Sequence, residues 1–174
     1  MKKLVILVLI LTLSNSFYSG CIEKGTGTLL LMITDKPSEL NITEALVTIS
    51  SVAVHRVGIG NNKENESSPG WIVAINESKT FDLILLNNLS DILGEVNLSV
   101  GVYSQLRLCV EKALVTIDGV EYDLKIPSKK VKIITNFLIF EEETTTLLLD
   151  FDIHKSVHKA GKDKYILKPT IKLK

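Results

Sequence analysis

Leu147–His158 reads LLLDFDIHKSVH, and its alternation decides the fold class. Leu147, Leu149, Phe151 and Ile153 share one phase, while Asp150, Asp152 and His154 share the other. A period of two is what a strand with one buried face requires, because successive side chains leave opposite sides of the pleat. The pattern predicts a strand over 144–153 that presses an apolar row into a core. Two carboxylates and an imidazole would then stand on the opposite, solvated face.

Working outward, residues 131–140 carry a similar apolar pattern, and Glu141–Glu143 reads as the turn of a hairpin joining the two strands. Tyr165–Leu173 is expected to be the last strand, with Pro169 making it an edge or bulged one. Upstream, Asp118-Gly119 is a two-residue hairpin turn, since a type I′ turn needs positive φ and glycine adopts it cheaply. Pairing across that turn sets Ile117 against Val120, Val115 against Tyr122 and Ala113 against Leu124, all on one face. The 102–117 strand slips phase near Glu111-Lys112, and Ala45–Val57 slips at Ser50-Ser51, as a bulge or bend would make it. Thr28–Thr34 is apolar on both faces, as in a central strand. Trp71–Ile75 and Thr80–Leu86 are further short strands, Asn87–Gly94 is the best helical candidate, and Gly58–Gly70 is a loop. Eight to ten short strands with one short helix make an all-β, antiparallel, Greek-key-like sandwich over 28–174.

The N-terminus reads as an export device. Lys2 and Lys3 precede the apolar run Leu4–Leu13. Ten residues are too few to span a hydrocarbon core, which needs ~20, but they suit a signal peptide over 1–20. Ser19-Gly20-Cys21 follows and resembles a lipobox, with Tyr18 where an aliphatic residue is usual, so Cys21 is the expected lipidation site and 21–27 the tether. Asn41, Asn65, Asn76, Asn88 and Asn97 each begin an N-x-Ser/Thr acceptor for N-glycosylation in an exported chain. Twenty basic residues balance twenty acidic ones, so no net field favours nucleic acid. The remaining thiol, Cys109, lies in an apolar strand pattern and reads as a small buried residue.

The ordered motifs Thr34-Asp35-Lys-Pro37, Trp71, Phe81-Asp82-Leu83, Gly101-Val-Tyr103 with Leu106-Arg107-Leu108, Leu124-Lys-Ile-Pro127-Ser128, Asp150-Phe151-Asp152 with Ser156-Val157, and Leu167-Lys168-Pro169 span residues 27–172. In them the chain resembles archaeal and bacterial lipoproteins grouped as domain of unknown function 4382. The resemblance implies a lipid-anchored surface β-sandwich and brings no activity, cofactor or catalytic residue.

The candidate chemistry centres on the Asp150/Asp152 face. Two carboxylates from one strand face, with Asp35 or Asp82 nearby, would suit calcium, and His154 or His158 would suit a transition metal. The competing reading has these acids cap loops or pair with Lys155, Arg107 and Lys168, with Asp150 or Asp152 the natural partner of Arg107 in a structural ion pair. Ser156 beside His154 or His158 is too bare for a hydrolase triad, because no Gly-x-Ser-x-Gly elbow frames it. Trp71, Tyr103 and Tyr122 are candidates for a sugar-stacking platform, with core packing the competing use. The leading expectation is a non-enzymatic, membrane-anchored module without a cofactor, meeting an envelope protein or glycan. The alternatives are a calcium- or glycan-binding module on the Asp150/Asp152 face and, weaker, a hydrolase.

Overall fold

The computed structural model describes residues 25–35, 41–58 and 70–174. The leader, Cys21, Asn65, Lys36-Pro37 and most of the 58–70 loop lie outside the described residues. In chain order the strands are β1 (Thr26–Asp35), β2 (Ile42–Arg56), β3 (Gly70–Ile75), β4 (Lys79–Asp82), β5 (Asp91–Ser99) and β6 (Gly101–Ile117). They continue as β7 (Val120–Lys125), β8 (Lys130–Ile139), β9 (Thr144–Phe151), then the single turn α1 (Ile153–Ser156), β10 (Val157–Gly161), β11 (Lys164–Leu167) and β12 (Ile171–Leu173). Two sheets pack as an all-β sandwich, one of four strands and one of eight.

The large sheet is built on β2 and β6, strands of 15 and 17 residues paired antiparallel along nearly their whole length. Each changes its outer neighbour halfway. β2 carries β4 along Leu46–Ile49 and β3 along Val52–Arg56; β6 carries β8 along Gly101–Cys109 and β7 along Leu114–Ile117. Register shifts beside Ile49 leave Glu111 and Ser50 as extra residues, where the phase slips were expected. The bulges have a consequence for the outer face. Beyond them Val52, Val54, Leu106 and Leu108 turn inward, and Ser51, Ala53, Arg107 and Cys109 turn outward.

In the small sheet β1 is central, antiparallel to β5 and parallel to β9, whose other edge takes β12. β7 and β11 are also parallel, so the sandwich is mixed and not purely antiparallel. The core joins Leu29, Leu31, Ile33 and Leu149 of the small sheet to Val47, Val54, Leu106 and Val115 of the large one, all at most 1% exposed. Gly27 marks a close crossing, since a Cβ there would lie 1.9 Å from the carbonyl oxygen of Phe140.

The Asp118-Gly119 turn forms as expected, with φ of 50° and 78° and Ile117–Val120 and Val115–Tyr122 in register. Three expectations are corrected. β8 and β9 are not a hairpin: β8 pairs with β6 in one sheet and β9 with β1 in the other, so Phe140–Glu143 crosses the sandwich. Residues 87–94 are not helical; they make a turn and the start of β5, whose pairing with β1 overrides a weak local helical signal. The last strand divides at Lys168–Thr170 into β11 and β12, which belong to opposite sheets, so Pro169 marks a change of sheet.

Candidate functional site

The alternation of Leu147–His158 holds only as far as Phe151. Asp152 then leaves the ladder and caps α1, its Oδ1 accepting from the Lys155 amide at 3.2 Å and its Oδ2 from Lys155 Nζ at 2.8 Å. The Ser156 hydroxyl donates to the Asp152 carbonyl at 2.6 Å and accepts from the Thr170 amide at 2.9 Å. Asp35, at the end of β1, accepts from the Ile153 amide at 3.1 Å, and Lys174 Nζ sits 3.0 Å from Asp150 Oδ2. The acids expected on a solvated face are therefore buried, Asp150 at 1% and Asp152 at 8% exposure. They tie the end of β9 to β1, α1 and the β11–β12 connection.

This arrangement changes the readings of the site residues. No ion pair joins Arg107 to Asp150 or Asp152; Lys174 and Lys155 take the two acids, and Arg107 lies in the other sheet. Asp150, Asp152 and His154 are not gathered as ligands: among the described residues no group of three or more His, Cys, Asp or Glu side chains could hold a metal ion. Asp82 is used as a turn cap, accepting from the Ala45 and Ile84 amides at 3.2 and 3.1 Å. Ser156 is fully buried with both hydroxyl functions engaged, and His158 is exposed on β10, so the triad does not assemble. Burial holds the His154 imidazole below its ordinary pKa, with the nearby Asp152 charge opposing, while the hydrogen bond to Asp152 holds the Lys155 ammonium above its own.

The outer face of the large sheet is different. Trp71, on β3 opposite His55, stands 37% exposed at one wall of a groove of about 260 Å³. Arg107 reaches across the small Ala53 and lays its guanidinium over the indole, Cζ 3.6 Å from the ring centroid, while the His55 ring tilts against the indole at 5.1 Å. Ser51, Ala53 and Cys109 line it as small residues, and Lys130 stands at the other side. Lys130 also borders a second cavity of about 320 Å³, between Pro127 and Pro169, which Lys132 and Lys168 line as well. Cys109 is thus half-buried on the outer face and lines the groove, not the core. The aromatic platform is corrected too: Tyr103 is fully buried against Phe137, Tyr122 leans on Tyr165, and Trp71 stands apart from both.

Sequence reasoning placed Arg107 on the outward side of β6 but missed the groove. The available signal was negative. Neither β3, β8, Ser51–Arg56 nor Gly101–Val110 contains an Asp or Glu, although the chain has twenty. Of the glycosylation acceptors, Asn41, Asn76, Asn88 and Asn97 are exposed. Among the described residues no helix is long and apolar enough to cross a membrane. No curated protein and no solved structure matches the chain. The model of a family described as domain of unknown function (DUF4382) matches residues 26–169, almost the whole described sandwich, and the chain belongs to that family.

Proposed function

We propose that this is an exported, lipid-anchored, non-enzymatic binding module whose site is the Trp71/Arg107 groove. The leader and Cys21 support the placement: Cys21 lies four residues before Gly25, where the described fold begins, so the anchored sandwich would sit within ~15 Å of the bilayer surface. The observation that carries the site is the Arg107–Trp71 stack over Ala53. A guanidinium held over an indole, with no carboxylate paired to it among the described residues, keeps hydrogen-bonding groups available to a ligand. Binding sites combine such an oriented polar group with apolar wall area, and Trp71 and Val73 supply that wall. The catalytic alternative has no comparable support, since Ser156 is committed to the fold.

Trp71 is the chain's single tryptophan, so its emission reports on the groove alone. Titration with a panel of envelope-type oligosaccharides, peptides and small organic acids is expected to give a saturable emission change for at least one class. Ala53→Phe, which fills the groove from a solvent-facing position, is expected to abolish it. A panel without any saturable response, or a response that survives Ala53→Phe, would refute the groove as the site.

A further inference from the structure

Resting on that reading, we infer that the groove's ligand is an acidic oligosaccharide, a sugar chain carrying carboxylates, held by Arg107, Lys130 and Lys132. The charge pattern comes first. Arg107 pairs with Lys132 and Cys109 with Lys130 across the β6–β8 ladder, so the three cations stand side by side on one face. Neighbouring strands lie about 5 Å apart and alternate residues of one strand about 7 Å apart, so the cations are spaced to meet successive anionic groups of one chain. Among the described residues no salt bridge joins an acid to any of the three. Three cations thus gather on one face of a chain whose net charge is zero.

The recognising surface decides the kind of anion. In the sheet interior the strand amides and carbonyls of β2 and β6 are spent on their neighbours, so recognition here falls to side chains. A peptide adding through its backbone would take the outer edge of β3 or β8, away from the β2–β6 face that carries Ala53 and Arg107. One exposed indole, already covered by a guanidinium, gives no row of aromatic surfaces for stacked bases. What the face offers is a planar guanidinium fork suited to a carboxylate, two ammonium groups, and a hydroxyl partner in Ser51. Those groups match a carboxylated sugar. The second cavity, beyond Lys130, continues the basic trough toward Lys168 and gives room for further rings.

The test is a Trp71 fluorescence titration of the full chain in detergent with three probes: a galacturonic acid trimer, the same trimer with its carboxylates reduced to alcohols, and a single-stranded oligonucleotide. The expected result is saturable binding of the acidic trimer that weakens as salt rises, and at least tenfold weaker binding of the reduced trimer. Arg107→Gln and Lys132→Gln, both on the outer face, should each weaken the acidic trimer about tenfold while leaving the far-ultraviolet circular dichroism unchanged. Equal binding of acidic and reduced trimers, still abolished by Ala53→Phe, would overturn the acidic specificity and leave the groove as a sugar site. An oligonucleotide that binds as tightly as the acidic trimer would overturn the sugar in favour of a general polyanion surface. Absence of binding by both trimers would overturn the inference, and the wider panel then decides the groove itself.

Discussion

At the seam of the sandwich, Asp35, Asp150 and Asp152 are almost wholly buried and joined to backbone amides, lysines and the α1 turn. On the outer face of the large sheet, Arg107 is half-buried and Lys130 and Lys132 stand exposed, with no acid on the strand segments around them. Both places concentrate charge, and the physics of burial separates their uses. A carboxylate taken out of water is costly unless fixed partners replace the hydration, so the seam acids are committed to one geometry. A cation left at the surface keeps its water and can exchange it for a ligand. The chain's most conspicuous motif therefore builds the fold, and a stretch without acids carries the proposed site.

Changes at the seam should cost stability and leave the groove intact. Phe151, fully buried in β9 beside Asp150 and Asp152, is the largest case. Phe151→Ala is expected to lose about 3–5 kcal/mol in urea unfolding through lost transfer and cavity formation. Asp152→Ala removes the cap of α1 and the partner of Lys155 and should cost about 1–2 kcal/mol. Millimolar calcium should move the melting temperature of neither the wild type nor this variant, because among the described residues no ligand group gathers at this face. A calcium-dependent rise lost in Asp152→Ala would break the comparison.

The seam should also respond to pH. Burial lowers the His154 pKa below its ordinary value of 6.5, so the unfolded chain takes up the proton first. That contribution to stability is complete above 6.5 and is lost as the pH falls from there through the lower folded value. Melts between about pH 8 and pH 5 should fall less steeply in His154→Gln than in the wild type. At the groove, Arg107→Gln gives up only the stack on Trp71, about 0.5–1 kcal/mol. Since ~1 kcal/mol shifts the melt of a domain of this size by about 2–4 °C, its melting temperature should drop by no more than that.

Much of the sandwich was legible because it rests on local rules. The Asp118-Gly119 turn and the pairs flanking it agree on one face, and the phase slips at Ser50 and Glu111 are bulges that any strand reading must include. Sheet membership was not legible. β8 and β9 are adjacent in sequence and equally apolar, yet a crossing at Phe140–Glu143 sends them to different sheets, a matter of long-range pairing that no window reveals. The helical turn was hidden because Ile153 continues the alternation that Asp152 has already ended. Asp150 was misplaced for a related reason. Period two tells which residues share a face, but not that Lys174 and the neighbouring turn cover the second face. Arg107 was read correctly as outward; its partner Trp71 lies 36 residues earlier and two strands away, beyond the reach of spacing.

The proposed division sets structure at the seam and binding at the groove. Its most direct test is the dissociation constant of the galacturonic acid trimer, read from Trp71 emission in Asp152→Ala and Arg107→Gln side by side, at a temperature where both are folded. The account predicts that Asp152→Ala binds as the wild type does and that Arg107→Gln binds at least tenfold more weakly. Binding lost in Asp152→Ala and kept in Arg107→Gln would contradict it, and would return the site to the carboxylates at the end of β9.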